Sequence, residues 1–237
     1  MTTLLLVLSG WLLVAAVFAA LWLLAVRQKN AGWVDVGWSL TLVLLAGWYA
    51  LLAEGYPWRR AFLFLLCAGW GWRLGFHILR RLLRERKEDP RYRFLREHWG
   101  VAADRRFFGF FQAQGLANLV LTAPVLLLMK LPLPEPSLFD LAGALLMAAA
   151  VAGEALADRQ LARWKADPAN RGKTCRAGLW AWSRHPNYFF EWLFWSGFPV
   201  LGFSLFSAGM GLWWPLTLLG PAVMYLLLMR VTGIPHT

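Results

Sequence analysis

Three pairs of polar side chains lie four residues apart, inside or at the ends of stretches that are otherwise apolar. These pairs are Arg73 with His77, Glu154 with Asp158, and Asn187 with Glu191. Residues four apart share one face of an α-helix, so each pair presents two polar groups in the same direction. Carboxylates and amides can hold the hydroxyl groups of a sugar, and an imidazole beside a guanidinium can donate a proton.

A second candidate for chemistry is residues 178–192, which combine basic, polar and aromatic side chains. Pro186 favours the first turn of a helix, because its missing N–H is not needed there. A helix start beside a cation favours an anion, while an amide and a carboxylate can hold a ribose or a carboxamide. The polar members are Arg184, His185, Asn187, Tyr188 and Glu191. The segment therefore predicts a site for an anionic, sugar-bearing cofactor and leaves its identity open.

The composition indicates what kind of protein must position these residues. Of the 237 residues, 59% are hydrophobic and only 16% are charged, and 16 are Trp and 16 are Phe. A soluble domain has about 25% charged residues, so a soluble fold is excluded. Two cysteines cannot build a disulfide framework. The remaining class is a polytopic membrane protein.

Seven apolar runs are long enough to span a bilayer, which needs about 20 residues per helix. They are residues 4–26, 33–53, 61–82, 107–129, 138–157, 188–206 and 212–229. We therefore predict an all-α bundle of seven transmembrane helices that forms a single membrane domain over residues 1–237.

The basic residues predict the orientation of this bundle. Most of the 24 Lys and Arg residues fall in connections on one side of the membrane, chiefly in residues 80–106 and 158–186. By the positive-inside rule these two basic loops and the C-terminus are cytoplasmic and the N-terminus is outside. Basic loops also contact anionic lipids, which accounts for the net charge of +11 without nucleic-acid binding. A bacterial cytoplasmic membrane is the expected location.

Intramembrane polar side chains are costly and usually mark a site. In the predicted topology they all fall in the cytoplasmic leaflet, which predicts a cavity open to the cytosol. The alternative is that they form structural hydrogen bonds and ion pairs between helices. The four histidines have no metal-ligand spacing, so no metal site is predicted.

Several motifs resemble the membrane steroid 5α-reductase superfamily, in particular its bacterial branch that was long labelled a domain of unknown function. The main one is residues 178–197, with Arg-His-Pro-Asn-Tyr at its centre. The others are Asp35-Val36-Gly37-Trp38, Trp72-Arg73-Leu74-Gly75, Asp89-Pro90-Arg91-Tyr92 and Phe111-Gln112-Ala113-Gln114-Gly115. The resemblance runs from the second predicted helix to near the C-terminus.

The resemblance implies an oxidoreductase that uses NADPH to reduce a carbon–carbon double bond conjugated to a ketone. Its substrate would be a sterol-like or other lipid that enters from the bilayer. Glu154, Asp158, Asn187 and Glu191 match positions that hold the nicotinamide–ribose half. The rest of the expected cofactor-binding set is Lys165, Lys173 and Arg176 on the phosphates, with Arg184, His185, Tyr188 and Arg230.

The resemblance also implies a proton-donating pair, formed in the family by a carboxylate on the second helix and a tyrosine on the third. In this sequence the carboxylate is Asp35 and the tyrosine position holds His77. We expect His77, assisted by Asp35 and Arg73, to stabilise the enolate that forms during reduction. Phe190 stands where the family usually has glycine, which would either crowd the cofactor or face lipid.

Two other functions fit parts of the sequence. Isoprenylcysteine carboxyl methyltransferases share a shorter Arg-His-Pro-x-Tyr element, so a membrane methyltransferase that uses S-adenosylmethionine is one alternative. A lipid-binding membrane protein without a cofactor is the other.

Overall fold

The structure, a computed structural model, describes residues 2–85 and 87–231. Within them the protein is all-helical, with no strand, and seven segments are long and apolar enough to cross a membrane. They are Thr3–Gln28, Trp33–Leu52, Pro57–Arg84, Pro90–Met129, Leu138–Ala166, Pro186–Ser207 and Gly211–Arg230. Each overlaps one of the predicted runs, so the helical fold class and the count of seven are confirmed. The orientation in the membrane stays a prediction.

The chain divides into two compact units between Pro132 and Leu133. In the first unit, helix α2 packs against α1, α3 and α5 and forms the centre. The helices of this unit are α1 (Thr3–Gln28), α2 (Trp33–Leu52), α3 (Pro57–Glu85), α4 (Pro90–Trp99) and α5 (Ala103–Met129). The core here is aliphatic and aromatic, and it includes Phe18, Leu45 and Phe111, all without exposure.

Most of the segment expected to be a basic loop, residues 80–106, is helical. Helix α3 continues to Glu85, three residues past the end of the apolar run. Helix α4 then begins at Pro90, where Asp89 caps it by accepting a hydrogen bond from the Arg91 N–H. Proline in the first turn and an aspartate before it are typical helix-start signals. A turn of 3₁₀ helix, Gly100–Ala102, leads from α4 into α5.

The second unit is built on two helices, α6 (Leu138–Ala166) and α7 (Pro186–Gly202), which make the most extensive contact in the protein. Small residues allow this close approach. A Cβ added at Gly143 would lie 3.2 Å from the carbonyl oxygen of Gly197, and one at Gly197 would lie 2.3 Å from the Met147 side chain. Glycines at such an interface are typical of membrane helix pairs.

The remaining helices of the second unit are short. Helix α8 (Ser204–Ser207) and a 3₁₀ segment, Gly211–Leu218, lead to α9 (Leu219–Leu226), and π-helical Leu227–Val231 follows. The expected loop 158–186 also differs from the expectation, because α6 extends to Ala166. Two 3₁₀ turns, Pro168–Asn170 and Gly178–Ala181, lie in the rest of that loop.

Candidate functional site

A buried tyrosine is hydrogen-bonded to a carboxylate in the first unit. Asp35 lies in the first turn of α2 and Tyr92 lies in the first turn of α4. The Tyr92 hydroxyl donates to Asp35 Oδ1 over 2.6 Å, and Tyr92 is only 4% exposed. This distance is at the short end for an O–H···O bond, as expected when the acceptor is a charged carboxylate.

Arg91 connects this pair to a second carboxylate. Its Nη2 donates to Asp35 Oδ2 over 3.4 Å, and its Nε donates to Asp89 Oδ1 over 3.0 Å. Burial alone would raise the pKa of Asp89, but the hydrogen bonds and charge of Arg91 outweigh it and lower that pKa. Arg81, which is half exposed, lies 3.8 Å from Asp89. The four side chains therefore form a polar chain from Asp35 towards solvent.

Aromatic packing fixes the orientation of the tyrosine ring. The Tyr92 ring meets Phe107 and Phe110 of α5 edge to face, with centroids 6.4 and 6.1 Å apart. The guanidinium carbon of Arg91 lies 5.4 Å from the centroid of the Tyr92 ring. A phenol held in this way is a preorganised donor, suited to stabilising negative charge on a substrate oxygen.

Asp35 is among the residues that the sequence motifs indicate for the site, whereas Tyr92 is not. Tyr92 was visible in the Asp89-Pro90-Arg91-Tyr92 motif, whose aspartate and proline signal a helix start. The charged surroundings of that motif instead suggested a surface loop. Of the other two expected catalytic residues, Arg73 is half-buried on α3, and His77 lies one turn further along with an exposed side chain.

In the second unit, α6 and α7 bring together the carboxylates and the amide that the sequence singled out. The Nδ2 of Asn187 on α7 lies 3.5 Å from Asp158 Oδ1 on α6. Glu154 and Glu191, one turn away on their respective helices, are 4% and 6% exposed. The indole N–H of Trp195 donates to Glu191 Oε1 over 3.1 Å.

Asn187 offers an acceptor that a ligand can use. A carboxylate only accepts hydrogen bonds, so Asn187 must turn its NH₂ group towards Asp158. Its Oδ1 is then buried, and it has no hydrogen-bond partner among residues 2–85 and 87–231. A ribose hydroxyl or a carboxamide NH₂ could donate to this oxygen. The donor and acceptor set therefore fits the nicotinamide–ribose half of a dinucleotide.

The 3₁₀ turn Gly178–Ala181, which precedes α7, is held against the last turns of α6. The Leu179 N–H donates to Gln160 Oε1, and the Trp180 indole donates to the Ala157 carbonyl oxygen, each over 2.9 Å. The His185 ring stacks on Tyr188 with centroids 5.1 Å apart. Burial, helped by the charge of Arg184, lowers the pKa of His185 below its ordinary 6.5.

The expected phosphate-binding residues are all exposed cations. Lys165 lies in the last turn of α6, whereas the other members are in the connection to α7 and after α9. They are Lys173, Arg176, Arg184 and Arg230. Exposure leaves these side chains available to an anion.

Phe190 packs against α6, because a Cβ added at Gly153 would lie 2.3 Å from the Phe190 ring. The aromatic ring that replaces the glycine usual at this position is thus accommodated by a glycine on the facing helix.

The comparisons with known proteins identify a family. A family model described as "Protein of unknown function (DUF1295)" matches residues 21–237. The comparisons with curated proteins and with solved structures gave no match. The matched range includes the Asp35–Tyr92 pair and the polar groups on α6 and α7. The chain therefore belongs to the DUF1295 family of proteins of unknown function.

Proposed function

We propose that this protein is a membrane-bound reductase that uses NADPH to reduce a carbon–carbon double bond conjugated to a ketone in a lipid or sterol-like substrate. The observation that carries the proposal is the buried hydrogen bond between Tyr92 and Asp35. The steroid 5α-reductase superfamily, which the sequence resembles, uses a carboxylate–tyrosine pair as its proton donor. Here the tyrosine comes from α4.

Tyr92 is the group that we assign to the ketone oxygen of the substrate. NADPH, when bound, would supply a hydride to the β-carbon, and the α-carbon would take its proton from solvent. Negative charge develops on the ketone oxygen meanwhile, and one preorganised donor there contributes about 3 kcal/mol. Tyr92 has a single proton, so it can donate to the substrate and keep its bond to Asp35 only if Asp35 carries a proton. The active form of the pair therefore holds two protons.

In the structure Asp35 accepts the bond from Tyr92, so it must take up a proton to reach the active form, and Asp89 favours that step by competing for Arg91. Arg91 makes its shorter contacts with Asp89, at 3.0 Å, and reaches Asp35 only over 3.4 Å. Coulomb attraction weakens with distance, so Arg91 stabilises the negative charge of Asp89 more than that of Asp35. The sequence assigned the main role on the enolate to His77, assisted by Asp35 and Arg73. In this proposal Tyr92 takes that role, and Arg73 and His77 are further donors.

The cofactor is assigned to the second unit. Asn187, Asp158, Glu154 and Glu191 would hold the nicotinamide–ribose half, because they supply the buried acceptors that this half requires. The phosphates are assigned to the exposed cations Lys165, Lys173, Arg176, Arg184 and Arg230, with His185 and Tyr188 at the helix start. A basic site suits NADPH better than NADH, because only NADPH carries a 2′-phosphate.

The apolar character of the chain supports a location in a membrane. Seven membrane-spanning segments indicate a multi-pass membrane protein. We assign it to the cytoplasmic membrane of a bacterium, with the cofactor site facing the cytosol. The apolar enone would enter from the bilayer.

Nucleotide binding is the first test. Purified protein in detergent is mixed with NADPH, NADH or S-adenosylmethionine, and the melting temperature is followed by Trp fluorescence. We expect stabilisation by NADPH, lost in Asn187→Leu and Glu191→Gln and kept in Glu135→Gln, which removes an exposed carboxylate of the same unit. Stabilisation by S-adenosylmethionine alone would favour a methyltransferase. No response to any of the three at millimolar concentration would favour a cofactor-free lipid-binding protein.

Turnover is the second test. A panel of lipid-soluble enones is supplied with NADPH, and the loss of NADPH absorbance is measured. Tyr92→Phe should abolish the reaction while nucleotide binding remains, because the ring stays and only the donor is lost. Tyr225→Phe removes an exposed hydroxyl and should have no effect.

A further inference from the structure

Glu88, between α3 and α4, accepts hydrogen bonds from two separate parts of the first unit. Its Oε1 accepts from the backbone N–H of Ala31 over 2.8 Å. The same oxygen accepts from Arg96 Nη2 over 2.8 Å, and its Oε2 accepts from Arg96 Nε over 3.0 Å. The side chain is only 8% exposed. A bidentate arginine–carboxylate pair of this kind is strong and fixes geometry.

Arg96 extends the connection to α5. Its Nη1 donates to Asp104 Oδ1 over 3.1 Å, and its guanidinium lies 5.0 Å from the centroid of the Phe107 ring. The Asp104 carbonyl oxygen in turn accepts the indole N–H of Trp22 over 2.8 Å. Five segments thus meet around Glu88 and Arg96: α1, the α1–α2 connection, the α3–α4 connection that carries Glu88, α4 and α5.

Ala31 and Arg96, which both bond to Glu88, lie close in sequence to the two members of the Asp35–Tyr92 pair. Ala31 lies two residues before Trp33, where α2 begins, and the first turn of α2 carries Asp35. Arg96 lies four residues after Tyr92 and so on the same side of α4. Phe107, which Arg96 covers, is also the ring that Tyr92 meets.

Helix α4 depends on such contacts for its position. It has ten residues, and an isolated helix of that length is marginal in water. A hydrogen bond of 2.6 Å between two helices requires that both backbones be held in place.

We infer that Glu88 and Arg96 are positioning residues: their bidentate ion pair, with the Ala31 N–H, holds α4 against the start of α2 and so sets the distance between Tyr92 and Asp35. The importance of that distance for catalysis rests on the proposed function, whereas the positioning itself is a property of the fold.

The test of positioning uses NMR and needs no substrate. Tyrosine is labelled with ¹³C at Cζ, and the Tyr92 resonance among the five tyrosines is assigned by its loss in Tyr92→Phe. Asp35→Asn gives the shift expected when the carboxylate is removed. Arg96→Met and Glu88→Gln should move the Tyr92 resonance in the same direction by at least half of that shift. Arg96→Lys, which keeps the charge but loses the fork, should move it less.

Arg105→Met is the matched control, because it removes an exposed arginine of α5 and changes the net charge equally. It should leave the Tyr92 resonance in place. The inference is overturned if Glu88→Gln and Arg96→Lys fold and leave the resonance where it is in the parent protein. Should Arg96→Met fail to fold, these two milder variants decide.

Activity adds an independent readout once turnover is observed. Arg96→Lys should lower kcat by about tenfold to a hundredfold with little change in KM, because misplacing a catalytic group by an ångström costs about that much. If no nucleotide binds but the resonance moves, the proposed function fails and the positioning stands. If turnover is seen and the resonance does not move, the positioning role fails and the proposed function stands.

Discussion

The energy of the Tyr92–Asp35 hydrogen bond can be measured by a double-mutant cycle. Tyr92→Phe removes the donor but keeps the ring, so its contacts with Phe107 and Phe110 remain. A hydrogen bond to a charged group contributes about 1.5–3 kcal/mol. Asp35 keeps its 3.4 Å contact with Arg91 in the variant, which limits the loss. We expect Tyr92→Phe to lower the free energy of unfolding by about 2 kcal/mol.

Asp35→Asn, which removes the charge of the acceptor, should cost a similar amount. The two losses should not add, because Tyr92→Phe removes the same bond that Asp35→Asn weakens. The double variant should therefore recover a coupling energy of at least about 1 kcal/mol, within the range seen for residues in contact. Tyr225→Phe, at an exposed site, is the control and should change stability by less than about 0.5 kcal/mol.

The assay is unfolding in mixed micelles by titration with SDS, followed by Trp fluorescence. Each of the four proteins is measured under the same lipid and detergent conditions. Additive losses, within about 0.5 kcal/mol, would show that the two side chains do not interact and would refute the geometry on which the site is built.

Three further predictions concern other parts of the molecule. The lowered pKa of Asp89 means that its stabilising contact with Arg91 is present at neutral pH. The contact is lost as pH falls from 3.8, the ordinary pKa of the group, through the folded-state pKa. Asp89→Asn should therefore flatten the acid limb of a curve of stability against pH. A bound phosphate should favour the protonated form of His185, whose pKa lies below 6.5 in the free protein. Affinity for NADPH, measured by titration of Trp fluorescence, should therefore rise as pH falls below 6.5, and less steeply in His185→Gln. Gly55→Ala should destabilise the protein by roughly 2–4 kcal/mol, because φ is +148° and the new Cβ would lie 2.1 Å from a backbone carbonyl oxygen of α5. Gly69→Ala, which has open space around the new Cβ, should be neutral or stabilising in the same SDS titration.

The spanning helices were predictable because each is a long apolar run, and length and hydropathy depend only on neighbouring residues. The polar pair on each of α6 and α7 was found for a similar reason, since a spacing of four places two residues on one helix face. The contact of Asn187 with Asp158 was not predictable in detail, because it depends on how the two helices pack.

The partner of Asp35 was not predictable from spacing. Tyr92 lies 57 residues away in sequence, and α4 is a short helix that is rich in charge. Its boundaries depend on local capping by Asp89 and Pro90, and its position depends on tertiary contacts such as those of Arg96. These contacts join residues from several segments, and the sequence alone does not show that those segments lie close together.

The length of α6 has a consequence for the kinetics of ligand capture. Its 29 residues correspond to roughly 43 Å, about 13 Å more than the hydrocarbon thickness of a bilayer. The final turns, which include Asp158 and Lys165, are therefore part of a rigid helix and not of a flexible loop. An incoming anion meets a backbone that is already ordered, so capture there requires only side chains to settle and we expect it to be fast.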